Sequence, residues 1–293
     1  MGPVRFQDVA RLMVVNPFAR ELTGRADEVL GYSLFDRYEV EEGDYSEAAQ
    51  VAFLVTCLAL AQWSGQEAEL CAGASFGGKA AAVYSGALGF EDAVRVTVGM
   101  ARCEREYFAL HHSDVVTESF ARTPRERLDE ILTELDWYEV SCEVDEDLYM
   151  VTLREDRLEW LQRRIRSVGG MPLYTMRPPL HASVFGPLRD VVEREVLAGI
   201  PFVDPVIPVV ADQDGAVLRT GEDVRTRLLD GYVRAVRWPA VVDSLRDNGI
   251  EHLHVAGPDR LFGRVRRVRE SFSSVTLVDP RTALRPRRPV PVA

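Results

Sequence analysis

A largely apolar run, Ala68 to Ala72, leads into Gly73-Ala74-Ser75-Phe76-Gly77 and leaves through the small residues Gly78-Lys79-Ala80-Ala81-Ala82. Strand, tight turn and helix in that order are the setting in which a G-x-S-x-G sequence becomes a nucleophile elbow. The glycines let the chain turn sharply and let neighbouring backbone approach. The serine hydroxyl is then left exposed above a helix N-terminus. A bare G-x-S-x-G arises by chance, so the flanking residues give this one its weight.

The chain has 293 residues, 46% of them hydrophobic, enough for one large α/β domain or a core carrying an inserted lobe. No apolar run approaches the ~18 residues of a membrane span, and no charged-then-apolar leader opens the chain; a cytoplasmic protein with no membrane partner is expected. Cys57, Cys71, Cys103 and Cys142 lie far apart without metal-ligand spacing. They read as reduced, mostly buried thiols, and neither a metal nor a bound cofactor is expected. A net charge of −11 argues against nucleic acid as a partner.

Apolar spacing predicts a helix over 46–64 and a long amphipathic helix from Phe90 to about Leu110, with Glu91 and Asp92 near its positive start. Between about Val115 and Arg177 the rhythm changes. A strand (Val115–Ala121) precedes a helix with Pro124 in its first turn. Two strands, Trp137–Val144 and Leu148–Leu153, follow around the acidic turn Asp145-Glu146-Asp147. A helix from about Asp156 to Ser167 then ends at Gly169-Gly170, before a strand at Met171–Met176. The order β-α-β-β-α-β is the ferredoxin-like split unit. Helices near 187–198, 222–230 and 238–247 then alternate with strands at Ile207–Ala211 and His252–Ala256. The expected fold is α/β, a doubly wound, α/β-hydrolase-like core (1–114 and 178–293) with a ferredoxin-like subdomain inserted at 115–177. The Pro/Arg-rich tail from Arg281 is expected to be loosely ordered.

Serine at neutral pH needs an adjacent base. His181, in Arg177-Pro178-Pro179-Leu180-His181-Ala182-Ser183, falls on a loop after prolines that end a strand. His252 and His254 alternate within a strand and suit structural roles, while His111 and His112 close a long helix. An α/β-hydrolase triad would run Ser75, then Asp212 or Asp214, then His252 or His254. The missing upstream His-Gly-Gly motif and the ferredoxin-like insertion count against it.

Other segments carry a resemblance over nearly the whole chain. Pro17-Phe18-Ala19-Arg20, Ala26 to Leu34, Gly86-Ala87-Leu88, Phe90-Glu91-Asp92-Ala93, Leu180-His181-Ala182-Ser183, Val236-Arg237-Trp238 and Val255-Ala256-Gly257-Pro258 occur in order around the elbow. Together they resemble the malonyl-CoA:acyl-carrier-protein transacylase family, including the acyltransferase domains of polyketide synthases. The resemblance implies a Ser75–His181 dyad, with the Gly231 carbonyl orienting the imidazole and the Phe76 N–H forming half of an oxyanion hole. In that family the other half comes from a glutamine backbone N–H in an opening strand, and Met1 falls at its position. No such opening motif is present, which puts half of the oxyanion hole in question.

Malonyl-transferring members place an arginine on the helix after the nucleophile, where it binds the substrate carboxylate bidentately. That position is Met100 here; Arg102 and Arg105 are the alternatives if the alignment slips. Met100 and Leu180 are the expected acyl-pocket residues, suited to an acyl group without a terminal carboxylate. The resemblance is nearest in kind to standalone, trans-acting acyltransferases of macrolactam polyketide pathways, the vicenistatin type, which move a dipeptidyl starter between carriers. It implies donor and acceptor acyl carrier proteins as partners. The substrate is then an acyl-phosphopantetheine carrier protein or a coenzyme A thioester. Because carriers are acidic, docking needs a local basic patch. Arg264, Arg266, Arg267 and Arg269 offer one, with Arg122 and Met176 flanking the cleft. Three other functions stay open: an editing acyl hydrolase, a malonyl-type transferase and a non-catalytic docking subunit.

Overall fold

A computed structural model describes residues 5–284 except 42, 44 and 260. Four helices open the chain: α1 (Phe6–Val15), α2 (Pro17–Leu30), α3 (Leu34–Val40) and α4 (Glu47–Ser64). Their ends follow local chemistry. The Asn16 side chain accepts from the Phe18 and Ala19 N–H groups ahead of Pro17, and Gly31, at φ 74°, closes α2. Ser46 caps α4 by accepting from the Ala49 N–H. Helix α4 is apolar around most of its circumference and lies inside the main core, where Val51, Val55 and Leu60 are wholly buried.

Strand β1 (Cys71–Ala72) leads through the elbow to α5 (Gly77–Tyr84), followed by α6 (Phe90–Leu110). The middle of the chain then runs β2 (Val115–Ala121), α7 (Arg125–Leu132), β3 (Tyr138–Asp145), β4 (Leu148–Arg154), α8 (Leu158–Ser167) and β5 (Met171–Met176). The strands lie in the order β5-β2-β4-β3, antiparallel at each of these pairings, which is the ferredoxin-like arrangement. Helices α7 and α8 cover one face through Leu128, Ile131, Leu161 and Ile165, closing a separate small core with Phe120 and Leu153.

Helix α9 (Gly186–Glu195), β6 (Val209–Val210), β7 (Val217–Leu218), α10 (Gly221–Asp230), β8 (Val236–Arg237), α11 (Trp238–Asp247), β9 (His252–Ala256), α12 (Arg266–Ser271), β10 (Ser274–Val278) and α13 (Pro280–Ala283) complete the chain. Strand β8 pairs parallel with β3, Cys142 opposite Val236, and so joins the small sheet to the rest of the molecule. The fold is an α/β core with a small subdomain. The core strands form two groups: β1 parallel to β6 with β7 antiparallel beside it, and β9 parallel to β10. A groove of about 700 Å³ separates β1 from β9, with Cys57 and Leu58 of α4 and Trp238 and Leu245 of α11 in its walls. Part of the tail differs from expectation: Asp279 caps the short helix α13 by accepting from the Thr282 N–H, which orders residues 281–283.

Candidate active site

Ser75 sits at φ 52°, in the left-handed region that ordinary side chains avoid, immediately before α5. Backbone held there by its surroundings is a mark of functional turns. Phe76 is the N-cap residue of α5, and its N–H lies at the helix start, where N–H groups have no partner within the helix. Two glycines make the turn possible. A Cβ on Gly73 would lie 2.1 Å from the Gly77 carbonyl oxygen, and one on Gly78 would lie 1.5 Å from a guanidinium nitrogen of Arg227. Gly77 itself has open space around it, so the close approach falls on Gly78, one residue past the G-x-S-x-G pattern.

His181 follows β5 at φ 62°, also left-handed, and its Nε2 lies 2.8 Å from Ser75 Oγ. Neighbouring bonds fix the loop: the Ala182 N–H donates to the Tyr232 carbonyl, and Ser183 donates through its N–H and its hydroxyl to Glu139. The imidazole is buried, 7% exposed, and burial pushes its pKa down to about 4 against the opposing pull of Asp212. The ring is therefore neutral near pH 7. The Gly231 backbone favours the protonated ring, yet Nδ1 has no well-aligned acceptor among the described residues.

Asp212 has a role that the sequence did not suggest. One of its carboxylate oxygens accepts from the Ser75 N–H at 2.8 Å, and the other lies 2.7 Å from the Arg227 guanidinium as a charge contact rather than an aligned hydrogen bond. Arg227 also donates to the Gly73 carbonyl. One buried ion pair thus holds both sides of the elbow. The hydrolase-type triad does not form: Ser75 pairs with His181, while His252 in β9 bonds Ser274 at 2.9 Å and Asp214 pairs with Arg234.

A cavity of about 50 Å³ adjoins the pair. Met100 and Leu180, both singled out from sequence, line it together with Phe76 and Gly231. Arg102 and Arg105 are exposed on α6 and contribute nothing to it, which removes them as carboxylate ligands in this pocket. Asp212 and Arg227 also line it, and Lys79, Glu104, Leu228 and Tyr232 complete the wall; sequence reasoning missed these last four in this setting. Gln50, Lys79, Glu104 and Tyr232 come from four separate segments and form one buried network. Lys79 donates to Gln50 Oε1, Gln50 Nε2 donates to Glu104, and the Tyr232 hydroxyl donates to Glu104.

The expected docking residues divide. Met176 is a correction: at 5% exposure it packs in the main core, because its position in β5 faces inward, and it presents no surface to a partner. Arg266 pairs with Glu270 and Arg267 with Asp243, so part of the basic patch is neutralised within the chain. Arg122 and Arg269 are exposed. Met1, expected at the second oxyanion donor, lies outside the described residues. Among the described residues no cluster of His, Cys, Asp or Glu suits a metal, and no helix is long and apolar enough to cross a membrane.

Comparison with known proteins gives a consistent pattern. The family described as VinK acyltransferase small domain matches residues 119–176, the span of most of the small sheet. Malonyl CoA-acyl carrier protein transacylase of Escherichia coli K12 is 24% identical over 278 residues, covering 90% of this chain and 89% of its own. The Bacillus subtilis 168 protein of the same name is 23% identical over 278 residues, covering 91% and 87%. Among solved structures, the malonyl-transacylase in complex with a type II polyketide synthase acyl-carrier protein aligns with TM-score 0.82 at 23% identity, covering 94% of each chain. The acyltransferase domain from the second module of the salinomycin polyketide synthase aligns with TM-score 0.78 at 18% identity, covering 97% of this chain and 69% of that one. By sequence and by fold the chain is a relative of the malonyl-CoA:acyl carrier protein transacylases, an acyltransferase type of protein whose small sheet is of the VinK acyltransferase kind.

Proposed function

We propose that this protein is a cytoplasmic, trans-acting acyltransferase that moves an acyl group lacking a terminal carboxylate, of aminoacyl or dipeptidyl type, between acyl carrier proteins of polyketide or macrolactam biosynthesis. The observation that carries it is the 2.8 Å contact between Ser75 Oγ and a neutral, buried His181. Ser75 Oγ attacks the thioester carbonyl while His181 Nε2 takes its proton. The tetrahedral oxyanion is met by the Phe76 N–H at the start of α5. The intermediate collapses, the C–S bond breaks, and His181 returns the proton to the departing phosphopantetheine sulfur. A second carrier's thiol then gives its proton to His181 and attacks the Ser75 ester; the acyl–Oγ bond breaks, His181 returns the proton to Ser75 Oγ, and the second carrier leaves with the acyl group. Residues 1–114 and 178–293 supply this machinery, and 115–177 form the lobe that carries β5 up to the His181 loop. Arg122 and Arg269 are exposed and available to meet an acidic carrier.

The pocket supports a non-dicarboxylic substrate. Met100 offers no partner to a carboxylate, the Arg227 guanidinium in the wall is already paired with Asp212, and Glu104, one turn further along α6, brings negative charge to the same wall. The small cavity favours the aminoacyl form over the larger dipeptidyl one. A malonyl-type activity is the second reading, favoured by the names of the relatives and by Lys79, the only lysine in the chain, in the pocket wall. The test charges one carrier with an aminoacyl or a malonyl group and adds a second, unloaded carrier. Aminoacyl transfer at least ~10²-fold faster than malonyl transfer is expected, since a buried unpaired carboxylate costs several kcal/mol. Release of free acid without acyl on the second carrier identifies a hydrolase. Malonyl transfer at equal or greater rate overturns the substrate assignment.

A further inference from the structure

We propose that Glu104 is the residue that selects the acyl group, by receiving a protonated amine on the acyl chain. Glu104 is 6% exposed and lines the same cavity as Ser75, one helical turn beyond Met100. Its Oε1 accepts from the Tyr232 hydroxyl at 2.9 Å, and its Oε2 accepts from Gln50 Nε2 at 3.2 Å. A carboxylate offers about four acceptor sites, so roughly two remain for a ligand.

Glu104 makes no direct ion pair among the described residues. Lys79 acts on it through charge at a distance and through Gln50, donating to Gln50 Oε1 at 3.3 Å while its ammonium lies 5.4 Å from the centre of the Phe76 ring. Burial pushes the Glu104 carboxyl up and the Lys79 ammonium down, so the protein meets neither charge fully. A buried carboxylate with free acceptor sites and no contacting cation is costly when the pocket is empty. An ammonium seated against it makes the short, charge-assisted bonds the site lacks. At Glu104 itself a malonyl carboxylate would instead meet like charge, and a plain alkyl group would leave Glu104 as it is. The spare N–H groups of Lys79 suit a carbonyl oxygen on the same acyl chain.

This inference rests on Ser75 carrying the acyl group, and the test separates the two. The full chain is incubated with carrier protein bearing β-alanyl, butyryl or malonyl thioester, and the rate of acyl-enzyme formation is read by intact mass. β-Alanyl and butyryl match in length and differ in the terminal ammonium. We expect β-alanyl to react at least ~10-fold faster than butyryl, and Glu104→Gln to bring that ratio close to one. A purely structural Glu104 would lower both rates together and keep the ratio. Equal β-alanyl and butyryl rates in the wild type overturn the proposal whether or not Glu104→Gln folds, as does a ratio that survives the substitution. Absence of acyl-enzyme with all three donors overturns the Ser75 reading itself.

Discussion

Arg227 braces the Ser75 turn from the Gly73 side. It and Asp212 are 5% and 1% exposed as side chains, and between them they hold the Gly73 carbonyl and the Ser75 N–H. Removing one member of a buried pair leaves the other uncompensated, so Arg227→Met should destabilise the protein by about 3–5 kcal/mol. Urea unfolding checks this, and a change under about 1 kcal/mol contradicts it. The same substitution frees the space against which Gly78 packs, so the elbow should lose its fixed geometry as well. His181 gives a second prediction. Its folded pKa is depressed to about 4, below an unfolded value near 6.5. Stability tied to the neutral ring is therefore full above about pH 6.5 and is lost as pH falls towards 4. Between pH 7 and pH 5 the wild type should lose about 2 kcal/mol more than His181→Gln. Over that range acylation should hold its rate, whereas a free imidazole would cut it roughly 25-fold. Ser75 and His181 were legible because each sits in a local signature: small residues around a turn, and prolines before a loop. Asp212 and Arg227, and the Gln50–Lys79–Glu104–Tyr232 network, were not legible together, since residues distant in the chain meet only after the fold has formed.

Elements with strong periodicity were read from sequence nearly to their ends. Helix α6 runs Phe90–Leu110, α11 runs Trp238–Asp247, and β9 runs His252–Ala256, each as the residue pattern predicts. The small sheet was legible because the acidic turn and the double glycine punctuate it. Its extra strand β8 was not, because two residues, Val236 and Arg237, carry no pattern of their own. Strand β1 is shorter than the apolar run around it, pairing with β6 alone and facing the 700 Å³ groove on its other side. The opening helices α1 to α3 were missed although Asn16-Pro17 is an N-terminal helix signal. Met176 shows the limit of reading by chain proximity: next to the cleft in sequence, it points into the core. The small core makes its own prediction. Ile165, on the inner face of α8, is wholly buried, and Ile165→Ala should cost about 2–5 kcal/mol. Hydrogen exchange should place the loosening in β2, β4 and α8. Uniform loosening of α4 and α6 instead would mean that the lobe and the main core unfold as one unit.

At the scale of the whole molecule, motif order along the chain was the most legible property, since each match is weak alone and seven in sequence constrain the topology. The reduced-thiol expectation fits the placement of the four free cysteines, three of them buried. Burial pushes the Cys57, Cys71 and Cys142 thiols up to about 12 and raises Cys103 as well. A thiol reagent at pH 8 should therefore label the native protein slowly and all four cysteines after unfolding. Rapid native labelling contradicts that burial. The proposed route takes the acyl group through an ester on Ser75, with His181 as its base. The most direct measurement is mass analysis of the acid-quenched protein after brief incubation with an aminoacyl carrier thioester, followed by proteolysis to locate the added mass. One acyl group is expected, on the peptide containing Gly73-Ala74-Ser75-Phe76-Gly77, absent in Ser75→Ala and added more slowly by several orders of magnitude in His181→Ala. Acyl mass on any other residue, or undiminished acylation of Ser75→Ala, would contradict it.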